Sequence, residues 1–145
     1  MKRPWNRALA IAMLSLWFPV CDGLAQESKT GIRFFSGTWK EAVAKAKAEH
    51  KCIFLDAYAS WCGPCKTMDR EVFVNPAVAH YFNGKFVAVR IDVEKGEGPE
   101  LAKKFTSIDG YPSLLFFDNE AHLAKTILGS REPDELLQEA KLVAK

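Results

Sequence analysis

Cys62 and Cys65 stand three positions apart, directly after an apolar run at positions 52–59 that contains one acid, Asp56. A nearly continuous apolar run of this length predicts a central strand that is covered on both faces of a sheet. The residues after the run predict a helix that starts at the cysteine pair. The two thiols are therefore expected where a strand passes into a helix, which indicates an α/β architecture.

Two thiols at this spacing on the first turn of a helix can close a reversible disulfide, so the chemistry to expect is thiol–disulfide exchange. The unpaired backbone N–H groups and the positive dipole end of the helix favour a thiolate over a thiol. Cys62 lies nearer to them and is expected to be the reactive cysteine. A static disulfide and half of a zinc site are the alternatives. A zinc site usually needs four ligands, and no histidine has a spacing to the pair that indicates one.

The first 25 residues have the features of an export signal. Basic residues precede an apolar stretch at 8–20, and Gly23-Leu24-Ala25 provides a small-x-small cleavage site. We therefore expect a signal peptide at 1–25 with cleavage near Ala25, a mature domain at 26–145, and a periplasmic or secreted location.

Two alternatives to a cleaved signal fit less well. An uncleaved membrane anchor is less favoured because the apolar stretch is shorter than the roughly 18 to 20 residues that cross a bilayer. Lipid attachment at Cys21 is less favoured because Val20 stands where bacterial lipoprotein signals usually have a small residue.

The charge of the expected mature chain is balanced. Without residues 1–25 the chain keeps 17 of its 20 basic and 17 of its 18 acidic residues. No broad positive field remains for nucleic acid or membrane phosphates, so we expect protein partners and no nucleic acid. Besides the pair, the mature chain contains Cys52, which is expected to be a small buried hydrophobic residue.

Hydrophobic periodicity and capping signals predict one domain with the order β-α-β-α-β-α-β-β-α. The strands are expected at 32–35, 52–59, 86–93, 113–117 and 122–128. The helices are expected at 42–49 after a capping box at Thr38 and Glu41, at 62–73, at 76–82 after an Asn75 cap, at 100–105 and at 133–143.

Four features at compatible spacings resemble the thioredoxin family over nearly the whole mature chain. They are Trp61-Cys62-Gly63-Pro64-Cys65-Lys66, Asp56 six residues before the first cysteine, Gly110-Tyr111-Pro112-Ser113 ahead of a strand, and Gly129 at the end of the last strand. The segment 71–78 is more similar to exported relatives, including the C-terminal domain of transmembrane thiol reductases. The resemblance implies a thioredoxin fold, with a central mixed sheet flanked by helices.

The resemblance also implies roles for the two cysteines and the buried acid. Cys62 would attack a substrate disulfide, and Cys65 would resolve the mixed disulfide that results. Asp56 is expected to have a raised pKa in its apolar strand and to carry a proton for Cys65. The alternative for Asp56 is a solvent-facing acid. The lysine that pairs with this aspartate in many thioredoxins would fall near Ala88, and this chain lacks it.

Substrate-binding residues are implied around the pair. Pro112 would be cis and would expose the backbone of Tyr111 to an extended substrate segment. Trp61 would frame the cysteines. Gly63 and Pro64 place no cation between the cysteines, so the reduced form is less favoured than in strongly oxidising relatives, which indicates a reductant.

These features predict an exported thiol–disulfide oxidoreductase that reduces protein disulfides. It would need no metal or organic cofactor, because the cysteine pair carries two electrons, and it is expected to be a monomer. Its partners would be protein thiols and disulfides, and the resemblance implies a membrane thiol reductase as electron donor. The alternatives are a disulfide oxidase or isomerase, and a thioredoxin-like binding or chaperone module without redox function.

Overall fold

The computed structural model describes residues 30–105 and 108–145. The predicted signal peptide at 1–25 lies outside the described residues. The elements, in chain order, are α1 (Trp39–Glu49), β1 (Cys52–Tyr58), α2 (Gly63–Thr67), a π-helical turn (Met68–Val72), α3 (Pro76–Lys85), β2 (Phe86–Asp92), α4 (Gly98–Lys104), β3 (Ser113–Phe117), β4 (Leu123–Leu128) and α5 (Pro133–Val143).

The strands form one four-stranded mixed sheet in the order β2-β1-β3-β4. β1 runs parallel to β2 and antiparallel to β3, and β3 pairs antiparallel with β4. β1 is therefore paired on both edges, and its five inner residues are all buried. This confirms the predicted central strand and the mixed sheet flanked by helices.

The two faces of the sheet carry separate hydrophobic cores. Side chains alternate along β1, so Ile53, Leu55 and Ala57 pack with Trp39 of α1 on one face. Phe54 packs on the other face with aromatic and aliphatic residues of α3, β3 and α5. Burying one large apolar side chain stabilises the fold by roughly 1.5–3 kcal/mol. The disulfide cysteines belong to the first of these cores.

The predicted helix starts are confirmed at α1 and α3. Thr38 and Glu41 form a reciprocal capping box at the start of α1. Asn75 accepts hydrogen bonds from the amides of Ala77 and Val78, and Pro76 occupies the first helical position of α3, where its missing N–H costs nothing.

Several predicted bounds were wrong. Residues 32–35 do not form a strand, because Phe34 makes only a single parallel bridge to Ala88 and Ile32 donates to the carbonyl of Phe73 instead. The predicted helix at 62–73 is divided into α2 and the π-helical turn. α3 continues three residues beyond the predicted end at Phe82, and α4 begins two residues before the predicted start at Glu100.

The predicted burial of Cys52 was also wrong. Its side chain is half-buried and free of disulfide bonding. It occupies the first position of β1, where the strand leaves the part of the sheet that is covered on both faces. Among the described residues, none of the helices combines the length and the apolar character needed to cross a membrane.

Two glycines give a matched test of close packing next to β2. A Cβ at Gly98 would collide with the Asp92 carbonyl and lie 2.8 Å from Cα of Val93, whereas a Cβ at Gly84 would meet nothing within 4 Å. We expect Gly98→Ala to lower the free energy of unfolding by about 1–3 kcal/mol, since backbone must move. Gly84→Ala lies in a helix and should raise it by about 0.5–1 kcal/mol. Urea unfolding of both variants measures the difference, and equal stabilities would contradict the predicted packing.

Candidate active site

The cysteine pair lies immediately beyond the C-terminal end of β1. The chain turns after Tyr58, and Cys62 becomes the N-cap of α2 with extended backbone angles, φ −72° and ψ 111°. Pro64 lies in the first turn, where its fixed φ suits a helix start. Cys62 and Cys65 form a disulfide, with 5.4 Å between their Cα atoms.

The helix start favours Cys62 as the attacking thiol. The backbone N–H of Cys65 donates to Sγ of Cys62 over 3.2 Å. This N–H belongs to the first turn of α2, where amides have no partner within the helix. After reduction of the disulfide, the same N–H stabilises negative charge on Cys62. Burial does not distinguish the attacking from the resolving cysteine, because Cys62 is 3% exposed and Cys65 is 2% exposed.

A second loop, just before β3, packs against the core that contains the cysteine pair. The peptide bond between Tyr111 and Pro112 is cis, as the resemblance to thioredoxins implies. The Ser113 hydroxyl donates to the Gly110 carbonyl over 2.7 Å, and the Gly129 amide donates to the Pro112 carbonyl over 2.8 Å. Tyr111 packs against the core that contains both cysteines.

Trp61 forms an exposed aromatic surface beside the disulfide. Its side chain is 65% exposed, and its ring lies edge-on to Tyr111 with 6.0 Å between the ring centroids. The indole N–H donates to Oε1 of Glu94 over 3.0 Å, which fixes the ring against the loop that follows β2. Gly63 and Pro64 are also exposed. The structure therefore places Trp61 and Tyr111 together at the predicted position.

Asp56 lies inside the sheet and is 1% exposed. Its neighbour in the β1–β2 register is Arg90, whose Nε lies 3.1 Å from Oδ2 of Asp56. This contact is electrostatic, because neither Asp56 oxygen makes a directional hydrogen bond within the described part of the chain. Buried carboxylate oxygens usually have hydrogen-bond partners, so a carboxyl group left free to bind a proton is unusual and indicates function.

The Arg90 guanidinium is bound on its other side by Asp69 of the π-helical turn. Nη2 of Arg90 donates to Oδ2 of Asp69 over 2.8 Å, and Nη1 lies at an ion-pair distance of 2.7 Å from Oδ1. The Tyr58 ring centroid is 4.2 Å from Cζ of Arg90, a cation–π distance. The Phe34 ring centroid lies 5.6 Å from the same atom, so the guanidinium is held by two carboxyl groups and two aromatic rings.

Burial and two charged neighbours act on the pKa of Asp56, and they do not all act in the same direction. Burial raises the pKa because it disfavours the ionised form, the charge of Arg90 lowers it, and the charge of Asp69 raises it. Burial has the largest effect, and the pKa of Asp56 is raised to about 7. This carboxyl group is therefore able to gain and lose a proton near neutral pH.

Comparison with known proteins decides the family. A thioredoxin-like family model matches residues 35–119. The chain belongs to the thioredoxin-like family. The thiol:disulfide interchange protein DsbD of Klebsiella pneumoniae is 28% identical over 129 residues, which are 81% of this chain and 21% of the relative. The match thus spans about a fifth of that protein's length.

Two solved structures have the same fold. A candidate disulphide-isomerase from Bacteroides thetaiotaomicron is 41% identical, with a TM-score of 0.69 over 78% of this chain and 93% of that one. The reduced C-terminal domain of DsbD from Neisseria meningitidis is 25% identical, with a TM-score of 0.59 over 72% of this chain and 92% of that one. The predicted thioredoxin fold and the predicted family of thiol–disulfide oxidoreductases are confirmed.

This thioredoxin-like chain replaces the missing lysine with a different cation. Ala88 occupies the position at which the lysine was expected, and Arg90 lies two residues further along β2, on the same face of the sheet. Sequence reasoning missed Arg90, Asp69 and Glu94. Arg90 interrupts the apolar run of β2 much as Asp56 interrupts that of β1, and this paired interruption is the signal that could have identified it.

The histidines and acids do not form a metal site in the described part of the chain. No group of three or more His, Cys, Asp and Glu side chains is close enough there to hold a metal ion. Asp56 and Asp69 do come together, and they share one arginine.

The raised pKa of Asp56 gives a stability prediction. In the unfolded chain its pKa returns to its ordinary value near 4, so between about pH 4 and about pH 7 the folded protein binds the extra proton. The free energy of unfolding therefore falls across this window as pH rises, by up to about 4 kcal/mol from this group. Asp56→Asn should lack this fall.

Urea unfolding of the oxidised proteins at a series of pH values measures it. Asp109→Asn, which replaces an exposed acid, is the control and should follow the wild type. The quantity compared is the slope of the free energy of unfolding against pH, because Asp56→Asn also loses the ion pair with Arg90 and so changes the stability at every pH. Identical pH dependence in Asp56→Asn and wild type would contradict the raised pKa.

Proposed function

We propose that this chain is an exported thiol–disulfide oxidoreductase that reduces protein disulfides. The observation that carries the proposal is the position of Cys62 at the start of α2, where the Cys65 amide donates to its sulfur. Family membership supports the reaction type. The leader-like sequence at 1–25 supports export to the periplasm or secretion.

In the first step the thiolate of Cys62 attacks one sulfur of a substrate disulfide. A bond forms between Cys62 and that sulfur, the substrate S–S bond breaks, and the second substrate sulfur leaves as a thiolate. The Cys65 amide stabilises Cys62 as the attacking anion before the reaction. The product is a mixed disulfide between the enzyme and its substrate.

In the second step Cys65 resolves the mixed disulfide. Asp56, as a carboxylate, accepts the thiol proton of Cys65, and the new thiolate attacks Sγ of Cys62. The substrate leaves as its second thiolate and takes up a proton. The enzyme dithiol is oxidised to the Cys62–Cys65 disulfide and the substrate disulfide is reduced to two thiols, so two electrons pass between them.

Trp61, Gly63, Pro64 and Tyr111 are proposed to bind the substrate protein. All four flank the disulfide, and the aromatic pair supplies an apolar contact surface whose geometry is fixed by Glu94. An extended substrate segment would pair with the backbone of Tyr111 at Pro112. A surface of this kind fits a polypeptide rather than a small thiol.

The reducing direction is supported by the residues between the cysteines. Gly63 and Pro64 supply no positive charge, so the Cys62 thiolate is stabilised less than in relatives that carry a cation there. A reductant outside the cytosol must have its own disulfide reduced again after each reaction. The likeness to DsbD, a thiol:disulfide interchange protein, supports a membrane thiol reductase as the electron donor.

A disulfide oxidase or isomerase is the second candidate, because one structural neighbour is described as a candidate disulphide-isomerase. A binding or chaperone module without redox function is the third. It would retain its function after both cysteines are replaced by serine, whereas the first two would not.

Trapping of substrates separates the roles of the two cysteines. Cys65→Ser removes the resolving thiol, so the first step proceeds, the second is blocked, and mixed disulfides with protein partners accumulate. Cys62→Ser should trap far fewer partners, because Cys65 lacks the N-cap position that stabilises a thiolate. Partners are purified from the native compartment after acid quenching and alkylation, and are then identified by mass spectrometry.

Equal trapping by the two variants would contradict the assignment of Cys62 as the attacking thiol. Absence of trapping by either variant, with biological function retained in both, would contradict the redox function as a whole.

A further inference from the structure

We propose that Arg90 is a positioning residue for the Asp56 carboxyl group. Asp69, bound to the same guanidinium, sets how strongly the charge of Arg90 stabilises the ionised form of Asp56. The cluster that these three residues form with Tyr58 is called the arginine bridge below. The proposal rests on the proposed function, because it explains how Asp56, the proton acceptor of the second step, remains able to accept a proton near neutral pH.

The first argument is geometric. Arg90 is anchored by one hydrogen bond and one ion-pair contact to Asp69 and by the Tyr58 ring, 4.2 Å from its Cζ. Its remaining nitrogen, Nε, faces Oδ2 of Asp56 at 3.1 Å. Asp56 has one cation beside it and makes no directional hydrogen bond to the described residues. Arg90 can thus hold the carboxyl group in place without occupying the oxygen that must take the proton.

The second argument is electrostatic balance. An arginine beside a buried aspartate favours the carboxylate and so opposes the effect of burial. Asp69 opposes this effect, because its own charge repels negative charge on Asp56 and it is bound to the same guanidinium. The two outer residues therefore act in opposite directions on one buried group.

The third argument is the position of the arginine bridge between Asp56 and water. The side chain of Asp56 is 1% exposed, that of Arg90 is 25% exposed, and that of Asp69 is 34% exposed. Substitutions at the two outer positions therefore change the charge next to Asp56 without opening a cavity in the hydrophobic core. Their effects can be measured in folded protein.

Among the described residues, the remaining neighbours of Asp56 carry no competing charge. Its partner on β3 is Leu114, an apolar residue. The π-helical turn contributes Asp69 and buried Met68, and β2 contributes Arg90. The charged groups that act on Asp56 are thus Arg90 and Asp69, Tyr58 packs against the arginine, and in oxidised protein the cysteines do not titrate.

The signs of the expected effects follow from these charges. Arg90→Gln removes the cation, so the pKa of Asp56 should rise and the carboxylate should form at higher pH. Asp69→Asn removes the opposing charge, so the pKa of Asp56 should fall. Arg90→Lys keeps a cation but not the planar guanidinium that reaches both Asp69 and Asp56, so it should restore part of the wild-type behaviour.

Two measurements test the arginine bridge. The first is a ¹³C NMR titration of the Asp56 carboxyl group in oxidised protein labelled at aspartate, with the signal assigned by its loss in Asp56→Asn. The second is the pH profile of single-turnover reduction of a protein disulfide by reduced protein. Both midpoints should move by about one pH unit, upward in Arg90→Gln and downward in Asp69→Asn.

Matched controls remove one charge of the same sign nearby. Lys95→Gln replaces an exposed cation just beyond β2, and Glu71→Gln replaces an exposed acid two residues from Asp69. Both controls should leave the carboxyl titration within error of wild type. Asp69→Asn provides the test even if Arg90→Gln fails to fold, because Asp69 lies at the outer end of the arginine bridge.

Shifts in the same direction for the two variants, or an unchanged Asp56 titration in Asp69→Asn, would overturn the proposal. Opposite shifts in the NMR titration with an unchanged reduction profile would contradict the proton role of Asp56 in the proposed function, while the assignment of Arg90 would stand. Wild-type protein that reduces no disulfide would contradict the proposed function alone.

Discussion

The parallel pairing of β1 with β2 is the constraint on which the rest of the site depends. The register places Asp56 opposite Arg90 and ends β1 at Tyr58, four residues before Cys62. A slip of one residue would move every β1 side chain to the opposite face of the sheet. Asp56 would then lose its cation and face the Trp39 core. The alternation of apolar side chains that fixes the register for packing therefore also fixes it for chemistry.

The arginine bridge is poorly explained as a stability device. Removing charges from water is costly, and ion pairs that are largely buried are often replaced by apolar residues with no loss of stability. Asp56 also disfavours folding more strongly as pH rises toward 7, since its pKa is raised. A group that destabilises the fold at neutral pH, in the strand that leads to the disulfide, is better explained by proton transfer.

Local patterns predicted the parts of the structure that depend on neighbours in sequence. The continuous apolar run of β1, the Thr38 capping box, the Asn75 cap and the bounds of β3 and α5 all follow from residues a few positions apart. The cysteine pair and its place at a helix start were predictable for the same reason. Contacts between distant segments could not be predicted from such local patterns. Arg90 meets Asp69 across 21 positions and Trp61 meets Glu94 across 33, so only the sheet register and the path of the loops bring them together. The false strand at 32–35 has the same cause, because its short apolar pattern fits a strand but packs against the Phe73 turn instead.

The reduction potential of the Cys62–Cys65 couple tests the central claim most directly, because it measures how strongly the protein holds its thiolate. Purified protein is equilibrated with graded mixtures of reduced and oxidised glutathione or dithiothreitol, and the fraction oxidised is followed by tryptophan fluorescence and by alkylation of free thiols. With no cation between the cysteines, the potential should lie near the value of about −270 mV typical of thioredoxin. A potential near about −120 mV, typical of a strong disulfide oxidant, would contradict the account of this chain as a reductase.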